Sequence, residues 1–161
     1  MSNVIQARPR IIRGKHTFHI VASQFNARYV QGLVDHAKKE LRTLAPNATV
    51  SIQRVPGAFE IPVVVGELAS LDKADAIIAC GVILKGKTNH AQNLSRSVTD
   101  ALQRIAVDHA VPVINAVLSF DDEIRMTNDE EMGEISKSNV RRFVSRTSSL
   151  IRASSFLLHH S

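Results

Sequence analysis

From Ala74 to Leu84 the chain is apolar at nearly every position and rich in β-branched and small residues. A run of this length with no helical period is a strand covered on both faces, and strands of that kind belong to parallel sheets flanked by helices. Such a strand requires helical segments on either side of it in sequence, because parallel neighbours are joined only by crossovers.

The remainder of the chain supplies them. His16 to Ala22 is a short β-rich run, followed by Asn26 as a helix cap and by Tyr29, Val30, Leu33, Val34, Ala37 and Leu41 at helical spacing. Ala45-Pro46-Asn47 breaks that helix, Thr49 to Arg54 alternates as a strand does, and Pro56-Gly57 turns the chain into a helix starting near Phe59. After the apolar strand, a polar loop at Lys85 to Asn89 leads to a helix carrying Leu94, Val98, Leu102 and Ile105. Pro112 to Ser119 is a fourth strand, and Asp121-Asp122-Glu123 opens a last helical region, where early acids suit the positive end of the helix dipole. Gly133 interrupts that region, and Val140, Phe143, Val144, Thr147 and Ile151 mark the buried stripe of a terminal helix. The expected fold is α/β, a three-layer α/β/α sandwich with a flavodoxin-like four-stranded parallel sheet.

Composition narrows the class of partner. At 161 residues and 44% hydrophobic the chain has the size of one domain with one core, read as residues 16–161 behind a basic arm at 1–15. The apolar runs at Ala76 to Ala79 and Ile61 to Val65 fall far short of the roughly 20 residues that span a bilayer, so no membrane is expected. A lone cysteine, Cys80, makes no internal disulfide and is placed in a buried strand, which points to a reducing compartment and a cytoplasmic protein. The net charge of +5 would suit nucleic acid, but one tyrosine, no tryptophan and no basic run interleaved with aromatics argue against a stacking or groove-reading surface. The charge is uneven: no acid precedes Asp35, while Arg8, Arg10, Arg13 and Lys15 crowd the start, as in an arm that lies on a neighbouring subunit.

Two segments carry chemistry: Val55-Pro56-Gly57-Ala58-Phe59-Glu60-Ile61-Pro62, and Gly81-Val82-Ile83-Leu84-Lys85-Gly86-Lys87-Thr88-Asn89-His90. The second satisfies G-x-x-x-x-G-K-[ST], the phosphate loop of nucleotide triphosphatases. Physics opposes that reading, because Val82, Ile83 and Leu84 favour continuing a strand, whereas a triphosphate loop must wrap consecutive N–H groups around its ligand. In order and spacing, from Phe25-Asn26 through both segments to Lys137, the chain resembles the lumazine synthase family.

The resemblance implies a reaction: 5-amino-6-ribitylamino-uracil condenses with 3,4-dihydroxy-2-butanone 4-phosphate to 6,7-dimethyl-8-ribityllumazine, releasing phosphate and water, with no metal or organic cofactor. His90 matches the catalytic histidine, and an imidazole can give and take protons around neutral pH. Phe25 would stack on the heterocycle, with Asn26 serving the pocket, the helix cap, or both. Ala58, Phe59 and Glu60 match the ribityl-binding edge, and the backbone of Val82, Ile83 and Leu84 would meet the pyrimidinedione. Gly86, Lys87 and Thr88 match the loop that holds the butanone phosphate at a helix start. Lys137 matches a site lysine.

Three positions depart from the family pattern: Asn115 stands where an aromatic substrate contact is usual, Gln92 where an acid is, and Asp129 where an arginine binds phosphate. Lys87 and Arg125 are the candidate replacement cations. The family further implies a homo-oligomer, a pentamer or a multiple of it, with active sites shared between neighbouring subunits. A non-catalytic lumazine- or flavin-binding shell protein is the alternative outcome of the three departures.

Overall fold

The computed structural model of the chain describes residues 14–71, 74–86 and 89–121. Four strands and three helices alternate: β1 (Thr17–Ser23), α1 (Ala27–Leu44), β2 (Thr49–Val55), α2 (Ile61–Ser70), β3 (Ala76–Lys85), α3 (His90–His109) and β4 (Val113–Asp121). The strands form one parallel sheet in the order β2-β1-β3-β4. This is the doubly wound arrangement expected from the sequence, with the reversal of strand order between β1 and β3.

Two apolar layers sandwich the sheet. Phe18, Ile20, Ala22, Ile78, Cys80 and Val82 pack under the inner stripe of α1, formed by Val30, Leu33, Val34, Ala37 and Leu41. Val21, Ile77, Ala79 and Ile83 pack on the other face against Ile61 and Val65 of α2 and Val98 and Leu102 of α3. Alternate residues of β3 therefore enter opposite cores, which is why that segment carries no polar face.

Two boundaries and one cap differ from the sequence expectation. α2 begins at Ile61 rather than near Phe59, because the Glu60 side chain folds back on the Gly57 N–H and holds the intervening residues in a turn. Asp121 ends β4 instead of opening a helix, since the ladder with β3 continues until Lys85 meets it in register. Asn26 occupies the N-cap position of α1, but its side chain makes no capping bond. The fourth helical region, Gly133 and the terminal helix fall outside the described residues, as does the arm up to residue 13. No helix among the described residues is long and apolar enough to cross a membrane.

Below the sheet, at the N-terminal ends of the strands, Asp75 ties β1 to β3. Its carboxylate accepts the Thr17 N–H at 2.7 Å and faces His16 Nδ1 at 3.2 Å, and the His16 ring stacks on Phe18.

Candidate active site

The segments singled out in the sequence meet at the opposite, C-terminal end of the sheet. The turn after β1 carries Phe25 and Asn26, the turn after β2 carries Ala58 to Glu60, β3 ends at Lys85 before Gly86, and α3 starts at His90. α1 leaves on one face and α2 and α3 on the other, so the chain opens a crevice above β1 and β3.

The first two turns are laced together. Gln24 N–H donates to the Val55 carbonyl at 2.7 Å, extending the β1–β2 ladder, and Phe25 N–H donates to the Pro56 carbonyl at 3.0 Å. The hydroxyl of Ser23, itself fully buried, donates to the Phe25 carbonyl at 3.3 Å. The rings of Phe25 and Phe59 remain 66% and 65% exposed, a costly placement for aromatics unless something flat covers them.

Glu60 is shaped by its glycine neighbour. Its Oε2 accepts the Gly57 N–H at 2.9 Å, and a Cβ at Gly57 would stand 3.0 Å from that oxygen. The carboxylate therefore rests on its own turn with its remaining lone pairs free to meet hydroxyl donors. A second glycine sets the depth of this turn. At Gly81 a Cβ would lie 3.1 Å from Ile61 Cδ1 and 3.4 Å from Val117 Cγ1, so the bare backbone lets the first residue of α2 settle onto β3.

The end of β3 presents its backbone unevenly. In a parallel ladder a residue directs N–H and C=O to one neighbour, and the next residue directs them to the other. Ile77 N–H bonds the Pro112 carbonyl on the β4 side, which sends Ile83 toward β4 as well, while Val82 and Leu84 face the β1 side. β1 pairs with β3 only as far as Ala22 opposite Cys80. Leu84 thus offers a backbone donor and acceptor where no strand continues, and the Val82 carbonyl accepts the Asn26 Nδ2–H at 3.0 Å.

His90 is exposed at the first turn of α3, and Ala91 beside it is buried against the sheet, which fixes the helix start relative to β3. The Asn93 N–H reaches back to the Asn89 carbonyl at 3.0 Å as the helix begins. Gly86 precedes it, and among the described residues nothing lies within 4 Å of where a Cβ would stand. Lys87, Thr88, Arg125 and Lys137 lie outside the described residues, as does Asp129.

Asn115 stands apart from this cluster. It lies in the middle of β4 opposite Ala79, its Nδ2 donates to Thr99 Oγ1 of α3 at 3.1 Å, and its Oδ1 accepts the Val117 N–H at 2.9 Å. Cys80 faces the α1 core below the crevice. Burial pushes its thiol up to about 12, against a smaller opposing pull from Arg54, so it is inert at neutral pH. On the opposite face of the sheet, the His19 ring shares a 2.5 Å hydrogen bond with Ser51, and burial lowers its pKa.

Two site features had no place in the sequence reading. The Glu60–Gly57 bond joins residues three apart and follows a capping-box spacing that is visible in the sequence. The Asn26–Val82 bond spans 56 positions and carries no local signal.

Known proteins point the same way. The family model for 6,7-dimethyl-8-ribityllumazine synthase matches residues 15–145. The chain is 42% identical over 105 residues to the 6,7-dimethyl-8-ribityllumazine synthase of Leifsonia xyli, covering 65% of this chain and 64% of that one. The corresponding protein of Azoarcus sp. is 35% identical over 105 residues, 65% and 67% of the two chains. That of Nitrosospira multiformis is 29% identical over 136 residues, 84% and 82% of the two. With the model match running through every element that builds the crevice, the chain belongs to the 6,7-dimethyl-8-ribityllumazine synthase family.

Proposed function

We infer that this chain condenses 5-amino-6-ribitylamino-uracil with 3,4-dihydroxy-2-butanone 4-phosphate to 6,7-dimethyl-8-ribityllumazine, releasing phosphate and water, as a transferase of riboflavin biosynthesis. The observation that carries this is the meeting of the β1, β2 and β3 turns with the start of α3 at the β1/β3 reversal, in a chain of this family.

Each residue is then given a role, which placement supports for those among the described residues. Phe25 stacks on the heterocycle from a turn pinned to Pro56. Glu60 and the backbone of Ala58 and Phe59 receive the ribityl hydroxyls. Leu84 and the backbone of Val82 and Ile83 border the pyrimidinedione, with Leu84 offering the open donor and acceptor. His90 moves the protons that carbonyl–amine condensation requires, taking one from the attacking amine and returning one to the departing oxygen. Gly86, Lys87 and Thr88 form the phosphate cradle, with Arg125 and Lys137 as its counter-charges. Asn115, far from its own crevice, is assigned to the site of an adjoining subunit, in a pentamer or a multiple of it. A buried, unpaired Cys80 supports a cytoplasmic location.

Purified protein is incubated with both substrates while lumazine fluorescence and released phosphate are followed. Loss of one acid–base group costs about 10²- to 10⁴-fold in rate, so His90→Ala should fall by that factor while still binding lumazine. Lumazine binding with no turnover in the unsubstituted protein would overturn the catalytic assignment, and full activity of His90→Ala would remove His90 from it.

A further inference from the structure

The residue after Phe25 faces two demands that asparagine meets together. Asn26 sits in the left-handed region at φ 57° and ψ 41°, where any residue but glycine is strained and asparagine is among the best tolerated. At a helix start its side-chain oxygen would ordinarily accept an N–H of the first turn, yet no such bond is made. The carboxamide turns the other way and donates to the Val82 carbonyl at 3.0 Å. Glycine would satisfy the backbone without a donor, and an ionised aspartate would satisfy a cap with no proton to give a carbonyl oxygen.

The ladder explains why a donor is needed there. Asp75 N–H bonds the Thr17 carbonyl, and Gln24 N–H bonds the Val55 carbonyl, so odd residues of β1 face β3 and even ones face β2. Residue 25 is thus the next in line to serve the Val82 carbonyl. Its N–H has instead swung to Pro56 as the chain turns into α1. The side chain of Asn26 supplies the bond that the backbone has given up.

We propose that Asn26 is a positioning residue: its carboxamide replaces the missing rung between β1 and β3, fastening the turn that bears Phe25 to β3 while Phe25 N–H fastens the same turn to the β2 side. The turn is held from both flanks of the crevice, which fixes where the Phe25 ring stands. It also withdraws the Val82 carbonyl from the acceptors a ligand can reach, leaving Leu84 as the open one. Asn26 therefore acts on the ligand through the Phe25 turn, without touching it.

This assignment rests on reading the crevice as the lumazine site, so the test has one arm that does not. In the full-length protein, Asn26→Gly keeps the left-handed turn and deletes the donor, and Asn26→Asp keeps the shape and sets a carboxylate against a carbonyl. Amide hydrogen exchange across residues 24–30 should accelerate about tenfold in Asn26→Gly, with exchange in β2 and α3 unchanged. Lumazine affinity, followed by fluorescence, should weaken about five- to tenfold, the equivalent of one hydrogen bond. In a Phe25→Ala background the same substitution should add little further loss, because its effect runs through that ring. For Asn26→Asp, acidification should narrow the thermal-stability gap to the unsubstituted protein as the introduced carboxyl gains a proton it can donate.

Unaltered exchange in Asn26→Gly would overturn the proposal, as would additive losses in the double variant, which mark a direct ligand contact. If the unsubstituted protein binds no lumazine, the functional reading falls and the exchange comparison alone decides the clamp.

Discussion

Removing the Glu60 carboxylate separates the fold's demand on that residue from the ligand's. The bond from Gly57 N–H to Oε2 is 2.9 Å long and charge-assisted, a class that contributes about 1.5–3 kcal/mol when shielded from water. Both residues are only half-buried, so water replaces part of what Glu60→Ala deletes, and the expected loss is about 1 kcal/mol. For a domain of this size that lowers Tm by about 2–4 °C, read by circular dichroism. Glu60→Gln keeps an oxygen at the same place and gives up only the charge, so about half of the loss should return. Lumazine titrations on the same samples read the second role. There Glu60→Gln should keep most of the affinity, since an amide oxygen still accepts from hydroxyls, while Glu60→Ala should lose more than its Tm accounts for. A Glu60→Ala protein as stable as the parent, or a Gln variant no better than Ala, would refute the account of the turn.

The remaining expectations concern the layers beneath the crevice. Gly81→Ala places a methyl 3.1 Å from Ile61 Cδ1 and should cost about 1 kcal/mol by overpacking; adding Ile61→Val, which deletes that atom, should recover part of it in urea unfolding. Because burial lowers the His19 pKa, the unfolded chain takes up the proton first: stability is full above the ordinary value of 6.5 and declines as pH falls through it toward the folded value. His19→Gln should therefore show a smaller stability difference between pH 7.5 and 5.5 than the parent, and an equal difference would contradict the placement. With its pKa near 12 the Cys80 thiol is ionised in about one molecule in 10⁴ at pH 8, so Ellman's reagent should label none of the folded protein within minutes and one thiol per chain in guanidinium. Prompt labelling of the folded protein would contradict that.

How far the sequence alone could go was set by the range of each interaction. β3 and the stripes of α1 and α3 were readable because burial on both faces or on one stripe writes its period directly into residue type. The start of α2 came out two residues early because Pro56-Gly57 announces a turn, while the length of that turn is set by where the Glu60 side chain folds back. Asp121 misled for a different reason. Its acid matched a helix-start pattern, but ladder pairing with Lys85 on β3 outweighed that local preference.

The site divides along the same line. Phe25, Glu60 and His90 were singled out because each lies in a contiguous stretch of motif, and the fold brings those stretches to one end of the sheet. Asn26 was identified by position yet its task was not, since the direction of its carboxamide depends on a carbonyl that the chain delivers 56 residues later. Asn115 shows the converse. Sequence order marks it as a site position, while one of its N–H groups and one lone pair of its oxygen are engaged by Thr99 and Val117. An aromatic ring there would project without hydrogen-bonding needs, whereas this asparagine keeps only one N–H and one lone pair for a substrate and has no ring to stack. Under the proposed function the stacking surface of such a crevice falls to Phe25, and the side chain proposed to fix the Phe25 turn gains weight accordingly.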